Sequence, residues 1–278
     1  MLKEDYLNKE NYFISHFNSK HIGDDAASVD GFIYSKDAFF ENVHFKKEWL
    51  SYKQIAKKAM LVNISDAVAM NATPKYALLS VAMPKTMSRK DMDALASGFL
   101  EAAQEYDIEI IGGDTISNSK LDITITIISK SKRVLLRSGV REDYLLAYTG
   151  KIGDAAKDLK RVLSLGRVHT QSKFTNIKLR AAFIAKSSRI LKAGMDISDG
   201  LFSDLDKIAS LNRIGFKIEK NISKNIACSG EEYEMLVAFD KRDLKAIRRR
   251  AEQTRTQINV FAKASRERYT NRCKANHF

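Results

Sequence analysis

The chain has 278 residues, 44% of them hydrophobic, and carries 47 Lys and Arg against 34 Asp and Glu for a formal net charge of +13. That length and apolar content suit one large or two medium globular domains and exclude a disordered chain. No run approaches the roughly 18 apolar residues of a membrane-spanning helix, and Met1 to Phe17 has acids where a leader would be apolar, so a soluble, cytoplasmic protein is expected. Two cysteines, Cys228 and Cys273, are too few for a disulfide framework and form no CxxC pair, which fits a reducing compartment.

In chain order, weak helical periodicity over 5–17 predicts a short opening helix, followed by an aperiodic Gly23-Asp24-Asp25 turn. Adjacent side chains on extended backbone point to opposite faces, so one of Asp24 and Asp25 is expected to ligate while the other braces the loop. Alternation over 31–40 predicts a strand carrying Asp37, then a loop with His44, a residue that is in isolation more often packed than ligating. Residues 51–71 take the helical period, with Ser51 as N-cap and Pro74 beyond the end. Asn63 and Asp66 share a face of that helix, and polar groups on an apolar inner side require partners, a metal being one.

A strand at 75–83, a helix at 88–106 opened by Ser88 and Asp91, and a short strand at 108–111 stopped by Gly112-Gly113-Asp114 come next. The two glycines would admit a phosphate to the backbone, and the acid could hold its cation. Leu121 to Ser129 is the clearest strand, giving the first half an α+β pattern. A boundary is expected near Arg137-Ser138-Gly139. Beyond it lie a strand at 144–149, a Gly153 turn into a helix whose amides suit an anion, and a helix over 177–191. An apolar run then enters Met195-Asp196-Ile197-Ser198-Asp199-Gly200-Leu201 and a helix to Leu211. Strands at 215–219, 235–239 and 258–262 and a helix at 244–254 complete the chain.

The acids clustered at element ends, Asp24, Asp66, Asp114 and Asp199 directly beside a Gly or Ser and Asp25, Asp37 and Asp196 with them, suggest one shared cation and phosphate site. Twelve basic residues against four acidic ones in 240–278 put eight of the thirteen excess charges there. Without interleaved aromatics or a nucleic-acid motif, a solvated basic face is favoured over nucleic-acid binding.

The ordered set Ile22-Gly23-Asp24-Asp25-Ala26, Asp37 with Val43-His44-Phe45, Val62-Asn63-Ile64-Ser65-Asp66, Gly112-Gly113-Asp114-Thr115, Arg137-Ser138-Gly139, Gly150 to Asp154, Met195 to Leu201 and Gly230-Glu231-Glu232-Tyr233-Glu234 resembles the thiamine-monophosphate kinase family. Asn276-His277-Phe278 is similar to its terminal His-Phe. That family shares a superfamily with aminoimidazole ribonucleotide synthetase, selenophosphate synthetase and the hydrogenase maturation factor HypE. The resemblance implies an α+β, two-domain PurM-like fold, divided here as 1–137 and 138–278. Its N-terminal α+β half would pair with a second copy across a β-barrel-like interface, and its C-terminal half would be α/β. It implies phosphate transfer from ATP to thiamine monophosphate with several Mg²⁺ ions.

By the same resemblance, Asp25, Asp66, Asp114 and Asp199 are metal residues, with Asp24 and Asp37 beside them. Gly112, Gly113, Asp114, Arg137 and Ser198 face ATP, and His44, Asp196 and Glu232 face the thiamine phosphate. The acceptor is already an anion, so no general base is assigned. The chain departs from the family pattern at Lys36-Asp37, where a Ser or Thr usually precedes the acid, over 185–190, at Ser229, and in lacking a Trp before His277. Selenophosphate synthetase would need a reactive Cys near the start, and HypE a cysteine at the very end; Cys228 and Cys273 suit neither. A non-catalytic ATP-binding or nucleic-acid-binding protein is disfavoured by the retained acids.

Overall fold

The computed structural model describes residues 9–273. The terminal Asn276-His277-Phe278 lies outside them, as does the start of the expected opening helix, whose described part is α1 (Lys9–Ile14). The first half forms a five-stranded sheet in the order β1-β2-β5-β3-β4, made from β1 (Ala27–Val29), β2 (Phe32–Phe40), β3 (Thr73–Pro84), β4 (Glu109–Asn118) and β5 (Asp122–Lys130). β1, a strand that the sequence reading did not assign, pairs with β2 in a hairpin. Strict alternation in β5 buries Ile123, Ile125 and Ile127 on one face, beneath α2 (Tyr52–Ala69).

α2 is the hub. Ser51 caps it with a full capping box: its Oγ accepts the Gln54 amide at 3.3 Å while Gln54 Oε1 accepts the Ser51 amide at 2.9 Å. An all-round apolar sequence lets it be buried on nearly every side, against β2, β5, α3 (Arg89–Glu105) and elements of the second half. α3 is the crossover joining the parallel pair β3 and β4.

β4 differs from expectation, because it runs straight through Gly112 and Gly113 instead of stopping at them. Both glycines have φ near +147°, and a Cβ on Gly113 would strike the Leu79 backbone of β3. The neighbouring strand therefore requires Gly113, whatever the ligand. Register carries one row across the sheet from Asp37 through Ile125 and Leu79 to Gly113, three strand spacings or about 14 Å.

The second sheet, order β7-β9-β6-β10-β8, comprises β6 (Leu145–Thr149), β7 (Leu191–Asp196), β8 (Gly215–Ile218), β9 (Met235–Phe239) and β10 (Ile258–Ser265). Every pairing described in it is antiparallel, so the α/β character expected of this half refines to α+β. Its helices are α4 (Asp154–Leu163), α5 (Ala181–Ser187), α6 (Leu201–Asn212), α7 (Lys224–Ala227) and α8 (Leu244–Gln253). The helix expected over 177–191 shrinks to α5, because Arg180 is drawn aside to a buried acid and Leu191 already belongs to β7. On α8, Ile247 and Ala251 are buried while Lys245, Arg248 and Arg249 are exposed.

Cys228 and Cys273 are joined in a disulfide across 45 residues, which overturns the reading of both as reduced thiols. Spacing alone gave no sign of it. The bond ties the chain beyond β10 to the end of α7, beside a second anchor in which Tyr269 donates to the Phe202 carbonyl at 2.9 Å. Closing a loop of that length restricts the unfolded chain by an amount worth about 2–4 kcal/mol. Reduction, or Cys273→Ser, should lower the melting temperature by several degrees. Superimposable melts with and without dithiothreitol would contradict this.

No described helix is long and apolar enough to cross a membrane.

Candidate active site

Three elements bring carboxylates to one point. α2 supplies Asp66, the end of β7 supplies Asp196, and the loop ahead of β1 supplies Asp25; one oxygen of each lies within 4.8 Å of the others. Each position is set locally. Ser65 Oγ donates to Asp196 Oδ2 at 2.7 Å, which binds the first half to the second at the site itself. Arg137 Nη2 donates to Asp25 Oδ1 at 2.6 Å, and the Arg137 amide donates to Asp24 at 2.7 Å. Asp24 thus braces the loop while Asp25 faces the cluster. Asn63 is satisfied without a metal: its Oδ1 accepts the Asp37 amide at 2.7 Å and its Nδ2 donates to the Ala59 carbonyl at 2.9 Å. That lock holds Asp37 at the edge of the cluster.

Burial, followed by the charges of Asp37, Asp196 and Asp25, pushes Asp66 well above the ordinary carboxylate value of 3.8. Asp196 is pushed well above it too, by burial and then by Asp25. Burial also raises Asp25 despite its arginine. Asp25 Oδ2 is buried with no hydrogen-bond partner. An acid with an orphaned oxygen, grouped with two others that resist ionising together, is an arrangement a hard divalent cation would relieve, and an all-carboxylate donor set suits Mg²⁺.

A carboxylate whose folded pKa is raised stabilises the fold fully below its unfolded value, and the benefit is lost as pH rises through the folded value. The contributions of Asp66 and Asp196 to the metal-free protein should therefore decline as pH climbs above 3.8. Mg²⁺, which favours the ionised forms, should raise the melting temperature more at about pH 8 than at about pH 5. Equal shifts at both pH values would show that the cluster does not bind the ion.

The other candidates fall elsewhere. Asp199 is paired with Lys207, its Oδ2 at 2.6 Å from Nζ, and does not join the three-acid group. Asp114 lies exposed on β4 and accepts its neighbour's amide, Thr115 N, at 2.8 Å. With Gly112 and Gly113 it lines a groove of about 420 Å³ whose floor includes Leu79 and Phe99. His44 Nδ1 accepts the Phe40 amide at 3.0 Å and its ring stacks on Phe39 at 5.6 Å, a packed arrangement. The Ser198 carbonyl accepts the Glu231 amide at 2.7 Å, which sets the 229–234 loop beside the Asp196 strand end.

Glu232, expected to face substrate, is turned inward. Its Oε1 accepts the amides of Gly153 at 2.7 Å and Ala155 at 3.2 Å, and its Oε2 meets Lys173 at 3.1 Å. The anion expected at the start of α4 is thus this carboxylate of the chain itself.

Four residues escaped the sequence reading. Lys58 is buried in α2, its Nζ 2.8 Å from Glu231 and 4.2 Å from the Phe174 ring centroid. A lysine inside the apolar stripe Ile55, Ala59, Val62 was the available signal. Arg180 holds buried Glu234 through two bonds of 2.7 Å. Tyr233 is buried with its hydroxyl within the field of the acids. Lys207 has no signature in sequence, since only the fold folds it back on Asp199.

Residues 23–130 match the family model described as AIR synthase related protein, N-terminal domain. Thiamine-monophosphate kinase of Bacillus subtilis is 32% identical over 218 residues, 72% of this chain and 67% of that protein. Its counterpart in Buchnera aphidicola subsp. Schizaphis graminum is 30% identical over 264 residues, 82% of this chain and 79% of that protein. For the fold alone, a structure described as AaThiL complexed with AMPPCP and TMP has a TM-score of 0.84 at 22% identity, covering 94% of this chain and 91% of that one. A HypE–HypF complex gives 0.79 at 16% identity, covering 93% of both chains. The fold is common to both lines, but identity of 30–32% extending over two thirds or more of each kinase is found with one of them, and on that ground the chain belongs to the thiamine-monophosphate kinase family.

Proposed function

We propose that this chain transfers the terminal phosphoryl group of ATP to thiamine monophosphate, giving thiamine diphosphate and ADP, with Mg²⁺ held by Asp25, Asp66 and Asp196. The observation that carries the reading is the convergence of these three acids, with Asp25 Oδ2 orphaned, in a chain of this family. When bound, Mg²⁺ supplies positive charge to phosphate oxygens and orients them for in-line displacement.

The residues of the chain do the rest. Arg137 steadies Asp25 and keeps a buried Nε without a hydrogen-bond partner. Asn63 and Ser65 fix Asp37 and Asp196 to a single helix, so the acids keep their spacing. The glycine groove beside Asp114 suits the nucleotide, at the far end of the row that leads to Asp37. In the transfer step an oxygen of the acceptor phosphate bonds to the γ-phosphorus, and the bond from that phosphorus to the β,γ-bridging oxygen breaks. The acceptor oxygen is anionic at neutral pH, so no residue need take a proton.

The same reading divides the chain at 137 and pairs two copies through the first sheet. Every residue of β4 but Ile110 is exposed, and Ile111 and Ile116 there join Tyr34, Tyr76 and Leu78 in an apolar outer surface. Such an edge and face are usually covered. The test is incubation with ATP, Mg²⁺ and thiamine monophosphate, with chromatography for thiamine diphosphate. Formation of product only when all are present supports the proposal; no product above the enzyme-free control overturns it.

A further inference from the structure

Asp199 opens α6, and Lys207, further along that helix, sends its side chain back toward the helix start, the direction long side chains take. Its Nζ lies 2.6 Å from Asp199 Oδ2 and 3.0 Å from Asp204 Oδ1. Asp204 is fully buried, and its Oδ2 accepts the amides of Asp199 and Gly200, each at 3.1 Å. The ammonium is therefore not a wandering surface charge: a buried acid holds it, and the same acid shapes the turn that presents Asp199. The field of Lys207 also reaches Asp25, in the three-acid cluster.

We propose that the Lys207 ammonium stands at Asp199 in place of a divalent cation, so that Asp199 holds a built-in positive charge and the site collects one ion fewer from solution. This rests on the cleft being a Mg²⁺ phosphoryl-transfer site. A hard cation needs carboxylate oxygens it does not share with an ammonium at contact distance. For a metal to take the Asp199 oxygen that Lys207 holds, the ammonium would have to give up that contact and keep Asp204 as its acid. Lys207 is thus a positioning residue, which sets where ions bind by closing one carboxylate to them.

The test counts bound Mn²⁺ by electron paramagnetic resonance of the free ion, using the full chain with β,γ-methylene ATP. Lys207→Met should bind about one more Mn²⁺ per chain than wild type, because the ammonium no longer occupies Asp199 Oδ2. Adding Asp199→Asn should abolish the gain, and Lys207→Arg should count as wild type. If Lys207→Met does not fold, Lys207→Met with Asp204→Asn, which removes the stranded charge, serves in its place. Equal counts for folded Lys207→Met and wild type overturn the proposal while leaving the metal site standing. No Mn²⁺ bound by wild type would instead overturn the reading of the cleft, and this proposal with it.

Discussion

Asp66→Asn should reduce phosphoryl transfer by a factor of roughly 10³ or more while making the metal-free protein more stable, by about 1 kcal/mol. The two effects have one origin. Asp66 is surrounded by Asp25, Asp37 and Asp196 in a buried setting, and its ionisation is opposed by burial first and by those charges second. An amide of the same shape removes the repulsion but also removes an oxygen anion from the donor set. A residue that merely packed would lose stability and activity together. The check is a pair of measurements on one preparation, turnover at saturating Mg²⁺ and the melting temperature in EDTA. Turnover within tenfold of wild type would remove Asp66 from the site.

Arg180→Met should destabilise the fold by about 3–5 kcal/mol without touching the acid cluster, because it strands a buried carboxylate. Glu234 is 1% exposed at the start of β9. Burial pushes its pKa up, but Arg180 and Lys173 outweigh burial and hold it below the ordinary range. Thr149 Oγ1 adds a bond of 2.7 Å to the same carboxylate and accepts the Met235 amide at 2.8 Å, so one acid joins β6, β9 and the segment before α5. Chemical denaturation measures the loss. Glu234→Gln combined with Arg180→Met should recover part of it, since the stranded charge is gone. A single-variant cost below about 1 kcal/mol would mean that Lys173 alone suffices.

Much of this was legible in the sequence because it depends on local chemistry. Ser51 and Ser88 announced their helices through capping geometry, and alternation announced β2 and β5. The acids at element ends pointed to a shared site, and Asp25 and Asp66 do meet there. What stayed hidden depends on tertiary pairing. Asp196 and Asp199 lie three residues apart in one motif, and only Ser65 on one side and Lys207 on the other reveal which acid joins the cluster. Glu232 looks like a surface acid until α4 is brought to it, and Gly113 looks like a phosphate turn until β3 lies against it. Two cysteines 45 residues apart carry no local trace of their bond.

The bond from Ser65 to Asp196 spans 131 residues of chain, and that from Arg137 to Asp25 spans 112. α2 and α3 can form from contacts near in sequence, but contacts of such separation are slow to be made. The acidic well is therefore a late acquisition in folding: it exists only once both sheets have docked on one helix. During refolding, helical signal should return ahead of divalent-ion binding, and ion uptake then serves as a clock for the last assembly step. If both returned at one rate, the helices would form together with docking rather than ahead of it.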